Sequence, residues 1–285
     1  ITMIKSNEIT VGYWSTKGLG SVCRQMVIYA NIPLKAKIYK LEAILNNGET
    51  IYDGSSWHEE NKTELKKSNS LINLPYIELL DLNGDNFIIS QSNACLMYLA
   101  REFNMLGQNE IEVSQCEQLL FETVDLRNII TSFAYTHYEN TNKENLAAKD
   151  VLNRAFDNNN SGKMQKFEHW IQNHKHANTN FLVNNISVAD FNLFDVLDFY
   201  IEFLKHYEFL NNSNGEDLFS ELGYPHIGSF YVKFKQLPQM QKYFNSILYQ
   251  LPYTNKSANF GSGIKGNSWD PNTQKDETPE EIIIK

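Results

Sequence analysis

The sequence predicts a chain of two parts, an α/β unit built on a small mixed sheet followed by an all-helical unit. Three observations carry this. Strand-like and helix-like runs alternate up to about residue 104. Strand signals then disappear from about Val113 onward. The apolar residues beyond that point keep helical spacing over long segments. At 285 residues the chain is long enough for two modest domains, each with its own core.

Ile9 to Trp14 reads as a first strand, Gly18 to Ala30 as a helix, and Ala36 to Leu41 as a second strand. Glu42 to Ser56 reads as a long polar connection, and Trp57 to Lys66 as a short charged helix. Two further strands, Tyr76 to Leu80 and Phe87 to Ile89, are joined by the turn signal Asn83-Gly84. Gln91 and Ser92 then open a helix carrying Leu96, Leu99 and Phe103. The order β-α-β, then α-β-β-α, predicts a mixed four-stranded sheet with helices packed on it, as in thioredoxin-like folds. Its boundary falls near Leu106-Gly107, and the unit is assigned residues 1–104.

Residues 105–253 form the all-helical part. Val113, Cys116, Leu119, Leu120, Val124, Ile129, Ile130 and Phe133 share one helical periodicity. Further helices are expected at Glu144 to Phe156, Gly162 to Asn173, Val188 to Leu204, Tyr224 to Phe234 and Met240 to Gln250. Ser187-Val188-Ala189-Asp190 has capping-box spacing, with Ile186 as a staple ahead of it, and reads as a folding signal. Residues 254–285 are polar and read as an extended tail, in which Ile282-Ile283-Ile284 could dock on another surface.

Composition narrows the partners. A net charge of −9 and a pI near 5.3 argue against a grip on nucleic acid or an anionic membrane. No apolar run is long enough for a bilayer, and Ile1 to Thr10 has no secretory apolar region. Cys23, Cys95 and Cys116 show neither CxxC nor metal spacing, so buried free thiols, a reducing compartment and no metal are expected.

The richest stretch is Ile72-Asn73-Leu74-Pro75-Tyr76, followed sixteen residues after Pro75 by Gln91-Ser92-Asn93-Ala94. A proline between turn and strand donates no ladder hydrogen bond, and fits a fixed, cis turn that leaves the Leu74 backbone to pair with a ligand. A helix opening on Ser92, with free N–H groups, favours a carboxylate. Together these pieces read as a cradle for a small peptide-like anion.

With these motifs the chain resembles the cytosolic glutathione S-transferases, the mu class most closely, over about residues 8 to 265. Gly12-Tyr13-Trp14, Gly18-Leu19 and Arg24 look like that class's first strand, catalytic loop and first helix. Tyr52-Asp53 and Trp57 look like its glutathione-binding segment, and Asn73 to Tyr76 and Gln91 to Ala94 match its next two motifs. Asp125, Tyr135, Ile186 to Asp198, Tyr224-Pro225 and Leu237 continue the likeness.

The resemblance implies conjugation of glutathione to small hydrophobic electrophiles, with glutathione as co-substrate, no other cofactor, and a cytoplasmic location. It implies Tyr13 as the hydroxyl donor to the glutathione thiolate, with Ser15, the donor type of other classes, as its rival. It implies Tyr135 over the second-substrate pocket, whose wall includes Leu19 and residues near Phe260. Trp14 and Trp57 border the glycyl end, Asn73, Leu74 and Pro75 present the backbone pairing, and Gln91 and Ser92 hold the γ-glutamyl carboxylate. Asp125 reaches the γ-glutamyl amine across a homodimer, with Leu71 as the apolar key just ahead of Asn73-Leu74-Pro75. The pattern departs at Gly54, where the class has arginine, and at Asn61, where it has lysine, with Lys62 next to it. Those losses of charge favour a second reading, a family member kept as a structural or binding subunit.

Overall fold

A computed structural model describes residues 8–80, 83–157, 162–174, 181–210, 218–262 and 275–285. The chain divides into two compact units, Ile1–Phe103 with Pro238–Lys285, and Asn104–Leu237. Residues 238–253, expected with the helical part, belong to the first unit instead.

The first unit is built on β1 (Ile9–Trp14), α1 (Ser21–Tyr29) and β2 (Leu34–Tyr39), with β1 and β2 parallel. Ile9 and Val11 of β1 are fully buried on alternate positions, as a half-buried strand requires. β5 (Tyr76–Leu80) runs antiparallel to β1, and β6 (Asn86–Ser90) antiparallel to β5. The sheet has five strands rather than four, in the order β6-β5-β1-β2-β7, because β7 (Glu281–Ile284) adds antiparallel to the edge of β2. The tail expected to be extended therefore ends in a strand.

The polar connection after β2 is also a hairpin, β3 (Glu42–Asn46) and β4 (Glu49–Asp53), followed by the short helices α2 (Ser55–His58) and α3 (Lys62–Leu65). α4 (Ser92–Glu102) packs against α1, burying Cys23, Met26, Cys95 and Leu99. All three cysteines are buried free thiols. A second cluster joins Tyr39, Trp57, Ile72, Tyr76 and Ile88, with Trp14, Leu65 and Leu74 against it. Each large apolar side chain so buried contributes about 1.5–3 kcal/mol. The helix expected over Met240 to Gln250 is broken into a turn at Pro238–Met240, α11 (Gln241–Phe244) and α12 (Ile247–Gln250).

The second unit contains α5 (Glu110–Tyr135), α6 (Thr141–Phe156), α7 (Lys163–Asn173), α8 (Val188–His206), α9 (Leu218–Glu221) and α10 (Pro225–Lys235). α8 is buried almost all round, its apolar residues interrupted by buried polar ones such as Asp190 and Asp195, and it packs on α5. Its start carries the capping box in full, with Ser187 and Asp190 satisfying each other's backbone. Arg127 and Asp195 form a buried ion pair at 2.6 Å between α5 and α8. Among the described residues, no helix is long and apolar enough to cross a membrane.

Candidate active site

The register Gly12↔Tyr76 and Tyr76↔Ser90 sets three chain segments at one end of the first unit's sheet. They are the residues ending and following β1, those preceding β5, and those following β6.

Tyr13 stands in the first segment, partly exposed. Its ring fills space that two glycines leave open: a β-carbon on Gly18 would lie 2.7 Å from its hydroxyl oxygen, and one on Gly20 would lie 2.5 Å from Cγ. Gly18 also holds φ +38°, in the left-handed region where glycine is at ease. Arg24, 1 % exposed, donates from Nη1 to the Thr16 carbonyl at 2.9 Å and from Nη2 to the Trp14 carbonyl at 3.3 Å. Its guanidinium carbon lies 5.9 Å from the centre of the Tyr13 ring. The loop is pinned from its other side as well. The Lys17 and Gly18 N–H groups donate to the carbonyls of Pro252 at 2.7 Å and Tyr253 at 3.1 Å, and the Lys17 ammonium lies about 4 Å from the rings of Tyr249 and Tyr253. Leu19 is 42 % exposed. Ser15 is buried, and its hydroxyl donates to the Asp276 carboxylate, so its proton is committed away from a thiolate.

In the second and third segments the Leu74–Pro75 peptide is cis. Leu74 stands two residues before Tyr76, where the β5 ladder begins. The Asn73 N–H donates to Ser90 Oγ at 2.8 Å, and Ser90 Oγ donates back to the Asn73 carbonyl at 2.9 Å, locking these two segments together. Gln91 has φ 76° and ψ 118°, a costly conformation for a residue with a side chain and one that concentrates at ligand sites. It precedes α4 without making a side-chain cap, so the first amides of that helix, with Ser92 foremost, present a positive pole to an anion.

The glycyl end differs from expectation. Trp57 is 1 % exposed, its ring stacked 6.1 Å from Tyr76 and tilted 5.0 Å from Tyr39, so it lies within the aromatic cluster. The Tyr39 and Tyr76 hydroxyls bond each other at 2.8 Å; burial raises both, Tyr76 to about 12, and both stay protonated. Trp14 lies nearer the surface, 6.0 Å from the His58 ring. A β-carbon on Gly54 would meet His58 at 3.1 Å and Trp14 at 3.3 Å, so the position is filled by its neighbours. Asn61 accepts from the Lys37 ammonium at 2.8 Å and donates to the Ser56 carbonyl at 2.7 Å. The Lys62 ammonium lies 6.0 Å from the Trp57 ring. Lys37 thus keeps a cation against Asn61. Lys37 escaped the sequence reading, because only the fold brings the middle of β2 beside a residue twenty-four positions later.

In the second unit, Asp125 is ion-paired with Lys163 at 3.1 Å, and the same ammonium reaches Glu122 at 2.9 Å. The Glu122 bond raises Lys163 above the ordinary lysine value. The Asp125 side chain remains 60 % exposed. Tyr135 ends α5 and is 45 % exposed.

Residues 124–247 match the family model described as glutathione S-transferase, C-terminal domain. The chain is 27 % identical over 254 residues to the class-mu 26 kDa glutathione S-transferase isozyme of Schistosoma mansoni, covering 88 % of this chain and 95 % of that one. It is 24 % identical over 260 residues to glutathione S-transferase Mu 5 of Mus musculus, covering 91 % and 98 %. In sequence the chain is thus similar to the mu-class cytosolic glutathione S-transferases. Glutathione S-transferase 2 of Gallus gallus is 27 % identical over 190 residues, 67 % of this chain and 74 % of that one. The fold is also that of the crystal structure of the glutathione S-transferase Blo t 8, with a TM-score of 0.66 at 20 % identity over 88 % of this chain and 99 % of that one. The thioredoxin-like and all-helical parts of that fold correspond to the two units above.

Proposed function

We propose that the chain is a glutathione transferase that adds the glutathione thiolate to small hydrophobic electrophiles, in the cytoplasm and as a homodimer. The observation that carries this reading is the clamping of Tyr13 by Gly18, Gly20 and Arg24 at the sheet end where Leu74 and the start of α4 converge. A free thiol has a pKa of about 8.5 and is only a few per cent ionised at neutral pH. Lowering it by about two units requires roughly 2.7 kcal/mol of preference for the thiolate. A hydroxyl hydrogen bond to sulfur, in a partly dry site with a guanidinium nearby, supplies much of that.

The remaining roles follow the family's pattern. Asn73, Leu74 and Pro75 present backbone to the cysteinyl unit, Gln91 and Ser92 hold the γ-glutamyl carboxylate, Trp14 borders the glycyl end, and Leu19 belongs to the wall of the electrophile pocket. Trp57 acts at the glycyl end through the packing of its buried ring. Lys37 and Lys62 supply the positive charge that Gly54 and Asn61 lack. Tyr135 offers a hydroxyl to the electrophile. Asp125 serves the partner's glutathione, a role for which it must exchange Lys163 for the substrate amine. Leu71, 75 % exposed, is the apolar dimer key.

The missing arginine and lysine favour a non-catalytic binding subunit. Against it stands the Lys37–Asn61 contact, which keeps an ammonium beside the position of the lost lysine.

The test is retention on immobilised glutathione, conjugation of a chromogenic aryl halide, and sedimentation of the same preparation. Retention, turnover and a dimer are expected. Retention without turnover supports the binding subunit, and a fully active monomer at micromolar concentration overturns the roles given to Leu71 and Asp125.

A further inference from the structure

Lys275–Thr278 and β7 are held against the rest of the first unit by three kinds of contact. The ladder pairs Leu34↔Ile284, Lys35↔Ile283, Ala36↔Ile282 and Lys37↔Glu281, and the Ile38 N–H extends it to the Glu280 carbonyl at 2.7 Å. Lys35 pairs with Glu281 at 3.0 Å. Ser15, two residues after Tyr13, donates its hydroxyl to Asp276, whose carboxylate also accepts the Thr278 N–H at 3.0 Å. Burial pushes the Asp276 carboxyl up, but these hydrogen bonds outweigh it and hold the group below the ordinary carboxylate range. It is therefore ionised, and an acceptor, throughout the neutral range.

These contacts border an open cavity of about 550 Å³ beside the Tyr13 loop. Trp14, Ser15 and Thr16 form one wall, Pro252 and Thr254 a second, and Lys275–Thr278 a third. The volume lies within the usual range for a site that takes one small organic molecule. Asp276 and Glu277 line it together with Lys256 and Lys275, so the lining carries no net charge to draw an ionic guest.

Resting on the transferase reading above, we propose that the C-terminal segment is a specificity-determining strap. Latched by Asp276 to Ser15 and anchored by β7, it walls the electrophile pocket and restricts it to compact, uncharged electrophiles. The attachment is reversible in kind, because a four-residue edge strand and one side-chain latch open locally without unfolding the sheet.

The experiment compares the full chain, Asp276→Ala, and a chain ending at residue 274. A readout independent of catalysis comes from placing Thr16→Cys in each form, since the three native cysteines are buried. Labelling of that thiol by a bulky fluorescent maleimide is expected to accelerate about tenfold or more when the latch or the strap is lost. The second readout is the ratio of kcat/KM for a polycyclic electrophile to that for a single-ring aryl halide, expected to rise about tenfold in both altered forms. Equal labelling rates, or an unchanged ratio, overturn the proposal. Asp276→Ala retains β7 and keeps the test valid if the shortened chain does not fold. Accelerated labelling with no conjugation by any form overturns the transferase reading and leaves the strap as a pocket wall.

Discussion

Gly18 and Gly20 leave room that the Tyr13 ring occupies, and Arg24 ties the carbonyls of Trp14 and Thr16 on either side of Ser15. Aim therefore comes from residues that never need to touch a substrate. Arg24 was visible in the sequence as part of a motif, and as a charge among Val22, Cys23 and Val27, but its task was not. A buried guanidinium bonded to two loop carbonyls needs the three-dimensional course of residues 14–16. Lys37 is the sharper case, because its contact with Asn61 restores charge where the residue pattern shows a loss. Lys37→Ala is expected to raise the Kd and KM for glutathione about tenfold or more, the worth of one charged hydrogen bond, while kcat changes little. Calorimetric binding and steady-state kinetics check this. Normal affinity in Lys37→Ala, with weak binding in Lys62→Ala, would give the glycyl carboxylate to Lys62.

Among the elements, those with a clear apolar period were legible. β1 and β5 match their expected bounds, and α8 begins at the residue that its capping box marks. The hairpin β3–β4 was not legible, because only Ala43 of its strand residues is buried and no alternating face exists to read. Its turn signal, Asn47-Gly48 with both residues at positive φ, was present but isolated. β7 is four residues long, too short for periodicity to separate docking from an apolar end. The capping box carries the prediction at this scale. Asp190 accepts the N–H groups of Leu182 at 2.8 Å and Ser187 at 2.7 Å, and the Ser187 hydroxyl as well. Asp190→Ala leaves these donors without that acceptor, and urea unfolding is expected to show a loss of roughly 2–4 kcal/mol. Desolvation pushes the Asp190 carboxyl up from 3.8 to about 6 despite those bonds. A carboxyl raised in the fold favours the native state most below its unfolded pKa, and this contribution falls as pH rises through about 6. The alanine variant should lack that component of the pH dependence. Parental stability and an unaltered pH profile in Asp190→Ala would contradict the account of the box.

At the scale of the whole molecule, the two-part order was readable because the hydrophobic period changes once, near residue 104, where the units divide. The return of residues 238–285 to the first unit was not readable. It rests on contacts far apart in sequence, such as Lys17 against Tyr249 and Tyr253, and Ser15 against Asp276. Those same contacts brace the loop that carries Tyr13, so the proposed chemistry draws on both ends of the chain. The central claim is that Tyr13 stabilises the glutathione thiolate. Its most direct test is the ultraviolet titration of glutathione bound to the parent protein and to Tyr13→Phe. The parent should hold the bound thiol about two units below its free value, and Tyr13→Phe should bind glutathione yet return the thiol close to that value. A low thiol pKa retained in Tyr13→Phe, and lost instead in Ser15→Ala, would contradict the claim.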